Sequence, residues 1–280
     1  MLKSINDVTR LSNGVLMPWL GLGVWQAENN DAEYAVKWAV EAGYRHIDTA
    51  AVYENEVQTG KGIKECGVSR HDLFVTSKFF GPVHSFENAI ASCEQTLKDL
   101  QTDYLDLFLI HWPLPKQNKY VEVYHALEKL YRDGKVRAIG VSNFYAEHID
   151  NVIANSDIVP HVLQVEYHPF YQQKELQAYC KEKGIQYEAY SPLAQGAIFE
   201  SETLKKLAEK YGKSVAQLVL RWELQNGVVV IPKSVHQNRI IQNSELFDFE
   251  ISAEDMKVID DMDEDRKITC PRPDELNPEI

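Results

Sequence analysis

Cysteine is scarce in this 280-residue chain, which has four: Cys66, Cys93, Cys180 and Cys270. No two form a C-x-x-C pair and none sits beside a histidine cluster, so no cysteine-based metal or dithiol motif is present. Four scattered thiols read as the reduced cysteines of a cytoplasmic protein. Long apolar runs are also lacking. None approaches the ~20 residues that a membrane helix needs, and Met1-Leu2-Lys3-Ser4-Ile5-Asn6-Asp7 has no signal-peptide apolar core. Positive charge is in deficit: 29 Lys and Arg stand against 42 Asp and Glu, a net charge of −13. That argues against nucleic acid or an anionic membrane as the main partner, and confines any anionic ligand to a local basic pocket. No long unburied apolar stripe is present, so a monomer is expected. A dinucleotide fingerprint is missing too. Gly21-Leu22-Gly23-Val24-Trp25-Gln26 lacks the third glycine, and Gly60-Lys61-Gly62 sits inside a helical stretch.

What is there is ordinary for a soluble domain: 44% hydrophobic and 25% charged residues. Asn13-Gly14 between two apolar stretches is a hairpin signal. After it come eight short β-like runs, at 20–24, 45–48, 73–77, 105–110, 136–141, 162–167, 185–189 and 228–231. Several are almost continuously apolar, as parallel strands covered on both faces are. Between them lie helical patterns. In 31–42 the nonpolar positions are Tyr34, Val36, Trp38, Ala39 and Ala42. In 85–100 they are Phe86, Ala89, Ile90, Cys93, Leu97 and Leu100. Ser214-Val215-Ala216-Gln217 is a capping box. Only the crossover from Ser191 to Val228 has room for two helices. Eight strand–helix units with no composition break predict an α/β fold, one (β/α)8 barrel domain over 1–280 with an N-terminal β-hairpin. A doubly wound sheet is the rival.

In such a barrel the site lies at the C-terminal ends of the strands. Those ends carry Asp48, Lys78, His111, Ser142 with Asn143, Gln164 with His168, Ser191, and Lys233 with Ser234. Seven of eight exits are polar or charged. Asp48, Tyr53, Lys78 and His111 together suit proton donation to a carbonyl. A tyrosine in water loses its proton only near pH 10, and a nearby ammonium lowers that value. Asp48 holds the lysine, and His111 binds the substrate oxygen. Each has a bland reading: Asp48 as a helix cap, Tyr53 as packing, Lys78 as a snorkelling surface lysine, His111 as a core histidine. Their coincidence at strand ends favours the site. A Schiff-base aldolase needs a deprotonated lysine, which Asp48 opposes. A metallohydrolase needs a ligand-rich pattern that His46 and Asp48 do not share, so no metal is expected. The acidic run 260–265 reads as the solvated end of a helix capped near Ser252, and Asp103 and Asp106 as structural.

Three motifs resemble the aldo-keto reductase family. They are Gly43-Tyr44-Arg45-His46-Ile47-Asp48-Thr49-Ala50 followed by Tyr53; Leu107-Phe108-Leu109-Ile110-His111-Trp112-Pro113 with Ile139-Gly140-Val141-Ser142-Asn143-Phe144; and Ile231-Pro232-Lys233-Ser234 followed by Arg239. The similarity spans about residues 11–263. It is nearest to the short microbial and protozoan members: 2,5-diketogluconate reductases, glyoxal/methylglyoxal reductases and prostaglandin F synthases. The resemblance implies a barrel that uses NADPH to reduce small carbonyl substrates, without a Rossmann domain. Tyr53 is then the general acid, Lys78 its partner, Asp48 the partner of Lys78, and His111 the carbonyl orienter. Ser142, Asn143 and Gln164 match the carboxamide contacts, and Tyr190 the ring that stacks on nicotinamide. Gly23, Ser191 and Leu193 join the cofactor set. Lys233, Ser234, Val235, Arg239, Gln242 and Asn243 match the 2′-phosphate and adenine end. Phe79-Phe80 stand where many members have tryptophan. The short tail implies an open pocket lined by Trp25, Tyr53, Phe79, Trp112 and tail residues. The family also includes channel-associated subunits and lens structural proteins, so a non-enzymatic role is the alternative.

Overall fold

The computed structural model describes residues 2–276; residue 1 and residues 277–280 of the expected domain lie outside the described residues. Strands β1 (Val8–Arg10) and β2 (Leu16–Pro18) form the antiparallel hairpin, with Thr9 opposite Met17. Gly14 takes φ +90° in its loop, a conformation that costs glycine little.

Eight parallel strands follow: β3 (Leu22–Gly23), β4 (His46–Asp48), β5 (Phe74–Phe79), β6 (Leu107–Ile110), β7 (Ile139–Ser142), β8 (Val162–Glu166), β9 (Gln186–Tyr190) and β10 (Val229–Val230). Each pairs with the next in chain order. The sheet then closes on itself. Gly21 N–H donates to the Val230 carbonyl at 2.8 Å and Val230 N–H to that of Trp19 at 3.0 Å, with a further bridge between Gly23 and Lys233. This is the expected (β/α)8 barrel. All eight strands overlap the predicted runs, with β5 running two residues and β7 and β9 one residue past the predicted ends. The first is shorter because residues 19–21 pair irregularly across the seam.

Helices α1 (Asp31–Glu41), α2 (Glu56–Glu65), α3 (Phe86–Asp99), α4 (Tyr120–Arg132), α5 (Ala146–Asn155) and α6 (Lys174–Lys183) form the successive crossovers from β3 to β9. The β9–β10 crossover carries α7 (Glu202–Tyr211) and α8 (Val215–Gln225), the two helices its length predicts. Helices α9 (Gln237–Gln242) and α10 (Ala253–Asp260) come last. Caps fix the starts. Ser85 Oγ accepts from Asn88 N–H at 3.1 Å, and Ser214 with Gln217 forms both bonds of its capping box. Gly60 and Gly62 serve packing. A Cβ on Gly60 would lie 2.5 Å from Leu100 Cα, and one on Gly62 2.8 Å from the Glu33 carbonyl.

The hairpin plugs the N-terminal end of the barrel. Its Leu11 and Met17 pack on Phe74, Leu107, Leu109, Ala138, Val162 and Val229. Asp106 is structural as expected, pairing with Arg70 at 2.8 Å and Arg137 at 2.6 Å and accepting from Val75 N–H; Asp103 is exposed. The acidic run is more than a solvated end. Asp260 accepts from the Trp222 indole at 2.8 Å, and Asp263 from Gln172 N–H at 3.2 Å. With the hairpin at the other end, the polar strand exits surround the open mouth.

Candidate active site

Strand alternation decides which side chains reach the mouth. Strand β5 runs two residues past its predicted end, so Lys78 lies within it, fully buried, and not beyond it. Phe79 is therefore turned to the opposite side. It is 2% exposed and packs on the His84 ring, with centroids 5.3 Å apart. The expectation that Phe79 lines the pocket is wrong; Phe80, two residues after Lys78, lines it instead.

Lys78 Nζ is the hub. It donates to Asp48 Oδ1 at 2.6 Å, to the Thr49 carbonyl at 2.9 Å and to the Tyr53 hydroxyl at 3.3 Å. Asp48 Oδ2 accepts from Gln164 Nε2 at 2.8 Å, and the same nitrogen reaches Glu188 Oε2 at 2.9 Å. The His111 ring meets Tyr53 edge-on at 5.7 Å. Tyr53 is held from behind by the turn that follows it. There Asn55 bonds the Val24 and Ala27 carbonyls, and buried Glu56 accepts from Ser77 and Thr96.

Electrostatics set the protonation states. Burial pushes Tyr53 up to about 12, with Lys78 opposing. The ammonium acts in the predicted direction, but desolvation is larger, so the net shift is upward and the hydroxyl keeps its proton at neutral pH. Burial alone would lower Lys78; Asp48 and Tyr53 outweigh it and hold the amine above its usual range. An amine held protonated is unsuited to Schiff-base chemistry. Burial lifts Asp48, opposed by Lys78 and Gln164. Burial and then Lys78 drive His111 well below the usual histidine value, so its imidazole is neutral.

A cavity of about 660 Å³ opens above this group. Asp48, Tyr53 and His111 line it, with Trp25 and Trp112. So do Gly23, Asn143, Tyr190, Ser191, Leu193 and Lys233 from the expected cofactor set. Ser142 and Gln164 are buried beneath, next to this lining. Ser234, Val235, Arg239, Gln242 and Asn243 are not part of the lining; they follow β10, on or beside α9. The tail walls one side through Thr269, Cys270, Pro271 and Leu276, in line with the expectation of tail residues in the lining.

Several residues were missed. Phe80 follows from counting two residues on from Lys78. Glu166 and Glu188, both fully buried, carried a signal as acids inside otherwise apolar strand runs. Val52 and Ile231 line the cavity without a pattern that marks them.

This constellation on a closed barrel coincides with a direct match. The family model described as Aldo/keto reductase family covers residues 19–264. The chain belongs to the aldo/keto reductase family. Glyoxal reductase of Bacillus subtilis (strain 168) is 53% identical over 277 residues, covering 99% of each chain. Methylglyoxal reductase DkgA of Escherichia coli (strain K12) is 42% identical over 271 residues, covering 96% of this chain and 98% of that one. The crystal structure of a Bombyx mori aldo-keto reductase in complex with NADP superposes with a TM-score of 0.89 at 36% identity, covering 96% of both chains. As an aldo/keto reductase, the chain is an oxidoreductase by family. Among the described residues, no helix is long and apolar enough to cross a membrane.

Proposed function

We propose that this aldo/keto reductase reduces small aldehydes and ketones to alcohols with NADPH, acting in the CH–OH/NADP class of oxidoreductases. The observation that carries the reading is the convergence of the Tyr53 hydroxyl, the Lys78 ammonium, the Asp48 carboxyl and a neutral His111 at one cavity.

The residues present suit the cofactor. Gln164 turns its amide nitrogen inward to Asp48 and Glu188, and its Oε1 accepts no hydrogen bond among the described residues, which leaves an acceptor for a carboxamide N–H. Asn143 is braced by the carbonyl of His111, Ser142 Oγ and the Tyr190 hydroxyl, and Tyr190 offers a ring at the cavity wall. Lys233 and Arg239 have no carboxylate partner among the described residues, in a chain of net charge −13. They are the cations a 2′-phosphate needs. NADPH, when bound, supplies the hydride.

The chain's own residues then do the rest. His111 donates its N–H to the carbonyl oxygen and fixes its position. Tyr53 transfers its proton to that oxygen as negative charge develops there. Lys78, fixed by Asp48, stabilises the phenolate left behind. Trp25, Phe80 and Trp112 keep water from the reacting atoms. The intact donor set in an open cavity favours an enzyme over a channel subunit or lens protein of the same fold. The names of the relatives favour small dicarbonyls as substrates. The four free cysteines accord with a reducing cytoplasmic setting, and the chain acts as a monomer on this reading.

NADPH oxidation followed by absorbance with glyoxal, methylglyoxal and a simple aldehyde tests it. Turnover of at least one is expected; a folded protein that binds NADPH but oxidises it with none of them refutes the enzyme reading.

A further inference from the structure

Among the described residues, the segment after α10 has no helix or strand of its own, yet it walls the cavity. Buried Glu166, at the C-terminal end of β8, gathers donors from it. Glu166 Oε1 accepts from Ile268 N–H at 2.6 Å and Thr269 N–H at 3.0 Å, and its Oε2 from Lys267 Nζ at 3.0 Å. His168 Nε2 lies 3.1 Å from Oε1 on the other side. The Lys267 ammonium also reaches the Tyr190 hydroxyl at 3.3 Å, and Thr269 Oγ1 bonds Ser191 Oγ at 2.8 Å. Immediately after this clasp come Cys270 and Pro271, and then Leu276, all at the cavity wall. A second anchor sits upstream, where Glu264 and Arg266 donate backbone N–H groups to the Phe170 carbonyl.

The chemistry of the clasp is strong for so short a segment. Burial would raise the Glu166 carboxyl, but His168, Lys267 and the Ile268 N–H outweigh it and hold the group down at about 2. It stays an anion at every working pH, and hydrogen bonds to an ionised acceptor are roughly twice as strong as neutral ones. Apolar packing adds less: Ile268 touches the edge of the main core, but it and Thr269 are only partly buried.

We propose that Glu166 is a specificity-determining positioning residue, whose clasp on residues 267–269 holds the tail as a fixed wall for carbonyl substrates bulky enough to reach Pro271 and Leu276. This rests on the carbonyl-reductase reading. Glyoxal is too small to need that wall; phenylglyoxal carries the same reactive dicarbonyl with a ring that does.

The test compares wild type, Glu166→Gln and Lys267→Met on both substrates with saturating NADPH, together with hydrogen exchange at the Ile268 and Thr269 amides. In Glu166→Gln the ratio of kcat/KM for phenylglyoxal to that for glyoxal should fall about tenfold or more through KM, the scale of one lost charge-assisted hydrogen bond. Both amides should exchange faster. Lys267→Met leaves the two backbone donors in place and should change the ratio less. If Glu166→Gln does not fold, Ile268→Pro, which removes the shorter of the two backbone donors, carries the same expectation for the ratio. An unchanged ratio overturns the proposal, as does a Glu166→Gln protein whose amides stay protected. Wild type that turns over neither probe removes the functional reading and the proposal with it, whereas an active wild type with an unchanged ratio in the variants removes only the clasp.

Discussion

Replacing Lys78 with methionine keeps the length of the side chain and removes its charge. In the wild type that charge lies 3.3 Å from the Tyr53 hydroxyl, and across this distance two unit charges in an effective dielectric of ~20 interact by ~5 kcal/mol. If about half a charge has developed on the phenolic oxygen when the proton is in flight, ~2.5 kcal/mol of the barrier depends on Lys78, or ~70-fold in rate. Full charge development raises that to ~5,000-fold. Turnover of glyoxal at pH 7 and saturating NADPH should therefore fall between these limits. Tyr53, already pushed up by burial, should rise further. The substitution also strands the Asp48 carboxyl, and an unpaired buried charge costs about 3–5 kcal/mol unless it takes up a proton. The double variant Lys78→Met with Asp48→Asn should therefore melt higher than Lys78→Met while staying equally slow. A Lys78→Met protein that melts cooperatively and retains kcat within about fivefold of wild type would sink the electrostatic account, since even half a charge predicts more. Borohydride trapping of a substrate on Lys78 would sink the reductase chemistry itself.

Tyr53→Phe keeps the ring and removes the transferable proton, so kcat should drop by ~10²–10⁴ with NADPH affinity nearly intact; near-normal turnover would mean another acid. Arg239→Ala should weaken NADPH by about tenfold and NADH little, read by tryptophan fluorescence titration, because only the former has the 2′-phosphate. Equal weakening of both would remove Arg239 from the phosphate site. Burial and the Asp48 charge raise Glu188 to about 8 against an ordinary value of 4.5. Its folded value is raised, so its contribution to stability is full below about pH 4.5 and is lost as pH climbs through about 8. Glu188→Gln should therefore gain in Tm relative to wild type between pH 5 and pH 8, and a constant difference across that range would contradict the assignment.

The barrel was legible because its physics is local and repeated. Each strand is a short apolar run that must be covered on both faces, and each helix is a three- and four-residue stripe. Eight repeats of that pattern leave little choice of topology. The catalytic group was legible for a related reason. A lysine, an aspartate or a histidine at the end of an apolar run must lie either at the mouth or buried beside it, and both placements bring such groups together. What the pattern could not give was register. Extending β5 by two residues turned Phe79 into the core and put Phe80 at the cavity, and no composition signal marks where a strand stops. The tail was expected at the pocket, but its anchor escaped. Residues 267–271 have no periodicity, and their position is set by a carboxylate about a hundred residues earlier in the chain.

Polar groups inside the barrel divide by depth. At the plugged end, the interior is filled with Leu, Met, Phe, Val and Ala. Nearer the mouth it carries Asp48, Lys78, Gln164 and Glu188, all buried. An ion pair so placed is weak support for stability, because desolvation consumes most of its Coulomb attraction. It is tolerated because the apolar layer below and the helix-facing core carry the folding. The same dryness makes it useful: Lys78 acts on Tyr53 through a medium that screens little, and Gln164 is fixed by two carboxyls before any ligand arrives. Glu188 accepts from Gln164 in either charge state, and more strongly as the anion. Once ionised, it would set a second negative charge beside Asp48. The raised value of Glu188 therefore keeps that second charge out of the site through the neutral range, and couples the stability of the barrel to the charge state of its site.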